Sequence, residues 1–216
     1  MSGAFELIVF DCDGVLVDSE PLSNAVLARR LTAAGVPTTT QESMERYMGG
    51  SMAAVVADAE TRRGGPLPDG FVEDYYAACT AAFDLELEAV PGIAAALDAL
   101  GAQPTCVASS GRHAKIRHSL GHTGLLDRFE GRIFSAHDVD RGKPEPDLFL
   151  HAAASLGVAP DRCAVVEDAP VGVAAALAAG MTPFGYAGRT PAAWLARDGV
   201  RVFTDMAELP GLLSTS

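Results

Sequence analysis

Two aspartates, Asp11 and Asp13, stand two residues apart where an apolar run ends, in the stretch Phe10-Asp-Cys-Asp-Gly-Val-Leu-Val-Asp-Ser-Glu20. On an extended chain, residues two apart point to the same side, so the two carboxylates share a face. Like charges that close need a cation beside them, or one of them stays protonated. Magnesium takes oxygen ligands and leaves room for a substrate phosphate. Two plainer readings compete. A calcium-binding EF-hand loop needs a Gly at its sixth position and a Glu at its twelfth. Here Gly14 is the fourth residue and an apolar run follows, which excludes that loop. An acid capping a helix after the strand stays open on these residues alone.

Three other places supply groups that would complete such a site. Ser109 and Ser110 end a second apolar run, followed by Gly111 and a helix start. Hydroxyls beside the free N–H groups of a helix N-terminus suit a phosphate, although a serine there is also an ordinary cap. Lys143, in Arg141-Gly-Lys-Pro144, precedes a proline, which biases it to extended backbone in a loop. By itself it reads as a solvated lysine. Glu167 and Asp168 close a fourth run just before Pro170, where helix capping is again the plain alternative. Taken in order, the strand ends offer a carboxylate pair, hydroxyls, an ammonium and a second carboxylate pair. That set is the kit of phosphoryl transfer: nucleophile, metal ligands, charge clamp and donors.

The elements that must hold these groups alternate. Residues 5–10, 104–108, 132–135, 162–166, 181–186 and 200–203 read as strands. Residues 92–100, 148–156 with Asp147 as N-cap, and 170–179 read as helices, each followed by a glycine stop at Gly101, Gly157 and Gly180. Such alternation predicts an α/β fold, a Rossmann-like doubly wound parallel sheet with helices on both faces. In such sheets ligands bind beyond the carboxyl ends of the strands, where the candidate groups lie. Residues 21–87 break the pattern. They show helical spacing only, as at Phe71, Val72, Tyr75, Tyr76, Cys79 and Phe83, and predict an inserted unit of three or four helices. The expected organisation is a core from residues 1–17 and 88–216 with a helical cap from 18–87, without internal repeats.

Composition limits the partners. The chain has 216 residues, 49% hydrophobic, with a formal net charge of −12. An acidic surface repels nucleic acid and anionic lipid, and no apolar segment reaches membrane-spanning length. Cys12, Cys79, Cys106 and Cys163 form no C-x-x-C pair, so they read as buried thiols in a reducing compartment rather than a zinc or redox site. Residues 1–6 lack a basic region followed by an apolar stretch, so no signal peptide is expected and the cytoplasm is the expected location. A monomer is the default expectation.

These motifs resemble those of the haloacid dehalogenase superfamily, in the subfamily with a helical cap after the first strand. They are F-D-C-D-G-V-L-V-D-S-E, A-S-S-G at 108–111, G-K-P-E-P-D at 142–147 and V-E-D-A-P-V-G at 166–172. The nearest likeness is to beta-phosphoglucomutase-like and sugar-phosphate phosphatase-like members, over essentially the whole chain. The resemblance implies that Asp11 attacks phosphorus to form an aspartyl-phosphate. Asp13 protonates the leaving alkoxide and then deprotonates the hydrolytic water. Ser109 hydrogen-bonds the phosphoryl group and Lys143 balances charge. Mg2+ is held by Asp11, the Asp13 carbonyl, Asp168 and Glu167. Gly14, Ser110, Gly111, Glu20 and His113 (or Arg112) are placed around phosphate and substrate. A closing cap would exclude bulk water and choose the substrate.

Departures from the family pattern sort the activities. Dehalogenating members lack an Asp at position 13. Phosphonate cleavage needs a cap lysine, and residues 22–87 contain none. A phosphosugar mutase would carry a His where Ser23 stands, and an Arg after G-x-S where Met52 follows Gly49-Gly50-Ser51. The expectation is therefore a phosphatase acting on a small phosphate ester: a sugar phosphate, a phosphorylated sugar acid such as phosphogluconate, or phosphoglycolate. The mutase is the alternative. An idle phosphate-binding protein is disfavoured because Asp11, Asp13 and Lys143 are all present.

Overall fold

In the computed structural model, residues 5–48 and 50–214 are described. Most of the segment read for a leader, and Gly49 of the Gly-Gly-Ser turn, lie outside them. Contacts between Cα atoms divide the chain into two units, Met1–Val17 with Ala89–Ser216, and Asp18–Glu88. Among the described residues no helix is long and apolar enough to cross a membrane.

In chain order, β1 (Leu7–Phe10) leads to four helices: α1 (Glu20–Ala33), α2 (Thr40–Tyr47), α3 (Met52–Arg63) and α4 (Phe71–Glu86). Next come α5 (Ile93–Leu100), β2 (Thr105–Ser109), α6 (His113–His122), α7 (Leu126–Phe129) and β3 (Ile133–Ser135). The chain continues through α8 (Asp147–Ser155), β4 (Cys163–Glu167), α9 (Pro170–Ala178) and β5 (Thr182–Tyr186). It ends in α10 (Ala192–Leu195), β6 (Arg201–Phe203) and α11 (Leu209–Ser214).

The six strands form one parallel sheet in the order β3-β2-β1-β4-β5-β6. β1 is apolar at every position because both faces of a parallel sheet are covered. One face packs Leu7, Val9, Cys106, Ala108, Cys163 and Val165 against Leu148, Phe149 and Ala152 of α8 and Ala175 and Ala176 of α9. On the other, Phe10 meets Phe129 edge to face, their ring centroids 6.2 Å apart. Strand order reverses at β1, between β2 and β4, and the crevice of a doubly wound sheet lies at that switch point. The register pairs Phe10 with Val107 and with Val166, so one residue further on stand Asp11, Ala108 and Glu167.

Helix α8 begins one residue earlier than expected, at the residue read as its cap. Pro146 takes the cap position, and Asp147 is the first helical residue, its carboxylate engaged by Arg141 at 3.1 and 2.9 Å. Pro146 carries no side-chain polar group, so the cap makes no side-chain hydrogen bond.

Within the helical unit, α1 packs on α2 and α4. Thr39 and Glu42 close a reciprocal capping box at the start of α2. A polar chain runs through the apolar packing: Ser43 Oγ donates to Asn24 Oδ1 at 2.8 Å, and Asn24 Nδ2 donates to Glu20 Oε2 at 3.1 Å. Buried polar atoms need such partners, and this chain fixes the Glu20 carboxylate at the first turn of α1.

Candidate active site

Lys143 is the hub of the core site. Its side chain is only 3% exposed, and its ammonium donates to three acceptors: Asp11 Oδ1 at 2.6 Å, the Ala108 carbonyl at 3.0 Å and Glu167 Oε1 at 2.6 Å. These belong to the ends of three adjacent strands, so one side chain from the loop before α8 ties β2, β1 and β4 together. An ammonium has three donors, and all three are used. The nitrogen also lies 5.0 Å from the Phe149 ring centroid, within cation–π range. Burial alone would lower the pKa of Lys143. Asp11 and Glu167 overcome it and hold the pKa above its ordinary value, so the side chain stays charged.

Asp11 follows β1 and is buried, its N–H donated to the Val166 carbonyl at 3.0 Å. Burial raises its pKa from 3.8 to about 7 against the pull of Lys143, with Glu167 and Asp13 adding to the rise. Glu167 is 1% exposed, and its second oxygen accepts the Ala169 N–H at 3.0 Å. Asp11, Glu167 and Asp168 each present one oxygen, all within 4.8 Å of one another.

Two glycines make room for these carboxylates. Gly14 has φ +75°, which L residues rarely adopt, and a Cβ there would stand 2.6 Å from Asp168 Cγ. Gly172, in the first turn of α9, has an ordinary φ, but a Cβ there would overlap the Glu167 carboxylate. The chain is bare at these two points because the Asp168 and Glu167 carboxylates fill the space.

The remaining groups divide. Ser109 is buried, and its Oγ accepts the Gly111 N–H at 3.2 Å, while Ser110 is exposed. Ser135 Oγ donates to the Gly111 carbonyl at 2.6 Å and so ties the end of β3 to the serine turn. His113, expected near a substrate, has Nε2 2.9 Å from both carboxylate oxygens of Asp138. Asp138 also accepts the Ser135 N–H at 2.8 Å. Burial opposes its charge, but Ser135 and His113 hold its pKa below the ordinary value. The signal for this fixture was legible as Ser135-Ala-His-Asp138, a capping-box pattern. Glu20 lies in the helical unit, held by Asn24. Asp13 is a quarter exposed and forms an ion pair with Lys115 of α6. Neither Lys115 nor Gly172 was singled out from the sequence.

The site therefore gathers Asp11, Lys143, Glu167 and Asp168 around the switch point, with Asp13 and Ser109 on the adjoining turns. Four carboxylates, those of Asp11, Asp13, Glu167 and Asp168, face two ammonium groups, those of Lys143 and Lys115. An all-oxygen donor set of this kind suits a hard cation.

A sequence profile described as haloacid dehalogenase-like hydrolase matches residues 5–180. The chain is 33% identical over 208 residues to the 6-phosphogluconate phosphatase of Escherichia coli K12, covering 96% of this chain and 94% of that one. It is 34% identical to a beta-phosphoglucomutase of Mycobacterium bovis, covering 93% and 90%. That alignment spans 239 positions against a chain of 216 residues, so the mutase carries inserted segments. Among solved structures, a haloacid dehalogenase-like protein from Agrobacterium tumefaciens superposes with a TM-score of 0.89 at 36% identity, over 98% of both chains.

Proposed function

The chain belongs to the haloacid dehalogenase-like hydrolases, and from that premise we propose a Mg2+-dependent phosphatase of sugar phosphates or phosphorylated sugar acids, working through an aspartyl-phosphate on Asp11. The observation that carries this reading is Asp11 itself: a buried carboxylate at the switch point, one oxygen held by Lys143, with Asp13 two residues on.

Lys143 holds Asp11 through Oδ1, and Oδ2 is the attacking atom in this reading. Oδ2 bonds to phosphorus while the ester P–O bond breaks, its electron pair passing to the leaving oxygen. Asp13, protonated at that stage, gives its proton to that oxygen, and the product alcohol departs. Asp13, now a carboxylate, takes a proton from water as that water attacks phosphorus, and Asp11 is released with inorganic phosphate. Ser109 and the N–H groups opening α6 bind phosphoryl oxygens. Asp11, Glu167, Asp168 and the Asp13 carbonyl would hold the metal. When bound, the metal supplies positive charge against the nucleophile and the transferring group, which a loose phosphoryl transition state needs.

Residues 18–87 form the cap that selects the substrate, with Glu20 at its first turn. The four buried thiols suit a reducing cytoplasm, and the core site draws its residues from one chain, as a monomer can supply. The beta-phosphoglucomutase relative keeps a mutase as the second reading, which Ser23 and Met52 oppose.

The test is phosphate release from a panel of hexose 1- and 6-phosphates, 6-phosphogluconate, bisphosphates and phosphoglycolate, with and without Mg2+, beside Asp11→Asn. Free phosphate that needs both Mg2+ and Asp11 supports the hydrolase. Conversion of hexose 1-phosphate to hexose 6-phosphate without net phosphate release would replace it with the mutase.

A further inference from the structure

Lys115 is the one ammonium besides Lys143 placed at the core site, and no role in the reaction described so far falls to it. It is the third residue of α6, the helix that follows the Ser109–Gly111 turn. Its Nζ donates to Asp13 Oδ1. The pair spans 102 residues of sequence and joins the turn after β1 to the helix after β2. The stem has a defined path, because a Cβ built on Gly111 would stand 3.3 Å from Lys115 Cδ. The bare backbone at Gly111 thus serves the lysine as well as the phosphate turn. Lys115 is 35% exposed and Asp13 25%, so the pair lies where the crevice opens, in contrast to the sealed Lys143. Its setting also differs from that of an ordinary surface pair, which contributes little. Asp13 stands two residues beyond Asp11, on the turn after β1.

We propose that Lys115 is a positioning residue for Asp13: by holding Oδ1 it aims Oδ2 at the leaving oxygen, so that proton transfer passes through Oδ2. This rests on Asp13 being the acid and base of the reaction proposed above. The balance is simple. The Asp13 Oδ2–H bond breaks as the O–H bond of the product alcohol forms, and Lys115 keeps its own protons. Its ammonium steadies the carboxylate that Asp13 becomes, ready for the water of the second step.

The role predicts a dependence on leaving group. An alkoxide must be protonated as it leaves, whereas nitrophenolate is a stable anion and departs unaided. The experiment measures the rate of the first step, by rapid quench in a single turnover, for 6-phosphogluconate and for p-nitrophenyl phosphate. It compares the wild-type protein with Lys115→Met, Lys115→Arg and Asp13→Asn. General acid catalysis contributes about 10²–10⁴-fold, so Lys115→Met should lose at least about tenfold more rate on 6-phosphogluconate than on the nitrophenyl ester. Lys115→Arg, which restores the cation, should recover much of it. Equal losses on both esters, or none on either, would overturn the role of Lys115. Asp13→Asn keeps the two ideas apart. If it shows the leaving-group split and Lys115→Met does not, only the positioning role falls. If it shows no split, the acid–base role of Asp13 falls and the positioning role with it. Failure of the wild-type protein to cleave 6-phosphogluconate while it cleaves the nitrophenyl ester would likewise count against a proton-delivering pair built for alkyl leaving groups.

Discussion

Replacing Gly172 by Ala adds a methyl group where the Glu167 carboxylate already lies. Alanine is normally better than glycine inside a helix by about 0.5–1 kcal/mol, so with room available Gly172→Ala would stabilise α9. The structure leaves no room: the new Cβ would sit 1.8 Å from Oε1 and 1.9 Å from Cδ of Glu167. A Cβ cannot rotate away from its backbone, so the Glu167 side chain must move. It then gives up the 2.6 Å pair with Lys143 and the 3.0 Å bond from the Ala169 N–H. Breaking a buried pair by removing one partner costs about 3–5 kcal/mol. Set against the helix gain, a net loss of about 2–4 kcal/mol remains. For a chain of this size 1 kcal/mol moves Tm by about 2–4 °C, so thermal unfolding in chelator should shift down by about 4–16 °C. Titration calorimetry should also show Mg2+ binding weakened about 10–100-fold, as when a group supporting a metal site is disturbed. An unchanged or raised Tm would refute the account of why residue 172 is glycine.

Other consequences follow from the same site and from the helical unit. Lys143→Met should lower kcat about 10²–10³-fold, the scale for losing one aimed donor to developing charge. Lys143→Arg should not restore it, because a flat guanidinium cannot reach three convergent acceptors as an ammonium does. In metal-free protein, the Asp11 pKa is raised from 3.8 to about 7, chiefly by burial. A carboxylate with a raised folded pKa favours the fold while it is protonated. That contribution is present below the unfolded value and is lost as pH rises through about 7. Urea unfolding in chelator should therefore show stability falling across that window, with a smaller fall in Asp11→Asn; equal slopes would contradict the burial argument. Thr39→Ala, which removes the capping box of α2, should cost about 1 kcal/mol in the same assay.

The site was legible in the sequence wherever residue type and strand-end position coincided. Asp11 and Asp13 declare themselves by period-two spacing, and the alternation of elements implies the sheet whose switch point gathers Asp11, Ala108 and Glu167. Lys143 read as a solvated loop residue until the other strand ends gave it partners. Lys115 was not legible: a lysine near the start of a helix looks like part of a wet face, and its partner is 102 residues away. Gly172 was visible only as a motif letter, since its meaning depends on the rotamer of Glu167. The Asp138 partner of His113 was not read from the sequence, because the capping box at Ser135 that places it lies on another element. In the helical unit the chain Ser43–Asn24–Glu20 depends on two helices meeting, which periodicity within each cannot reveal.

Covalent catalysis by Asp11 leaves a trace on the protein itself. The direct test is acid quench of the protein during turnover of a cleaved phosphate ester in Mg2+, followed by mass spectrometry of the peptide that carries Asp11 and Asp13. One acid-stable phosphoryl group is expected on Asp11, decaying as phosphate appears and absent from Asp11→Asn, which should not turn over. Unimpaired phosphate release by Asp11→Asn, or a phosphoryl group found on another residue, would contradict covalent catalysis by Asp11.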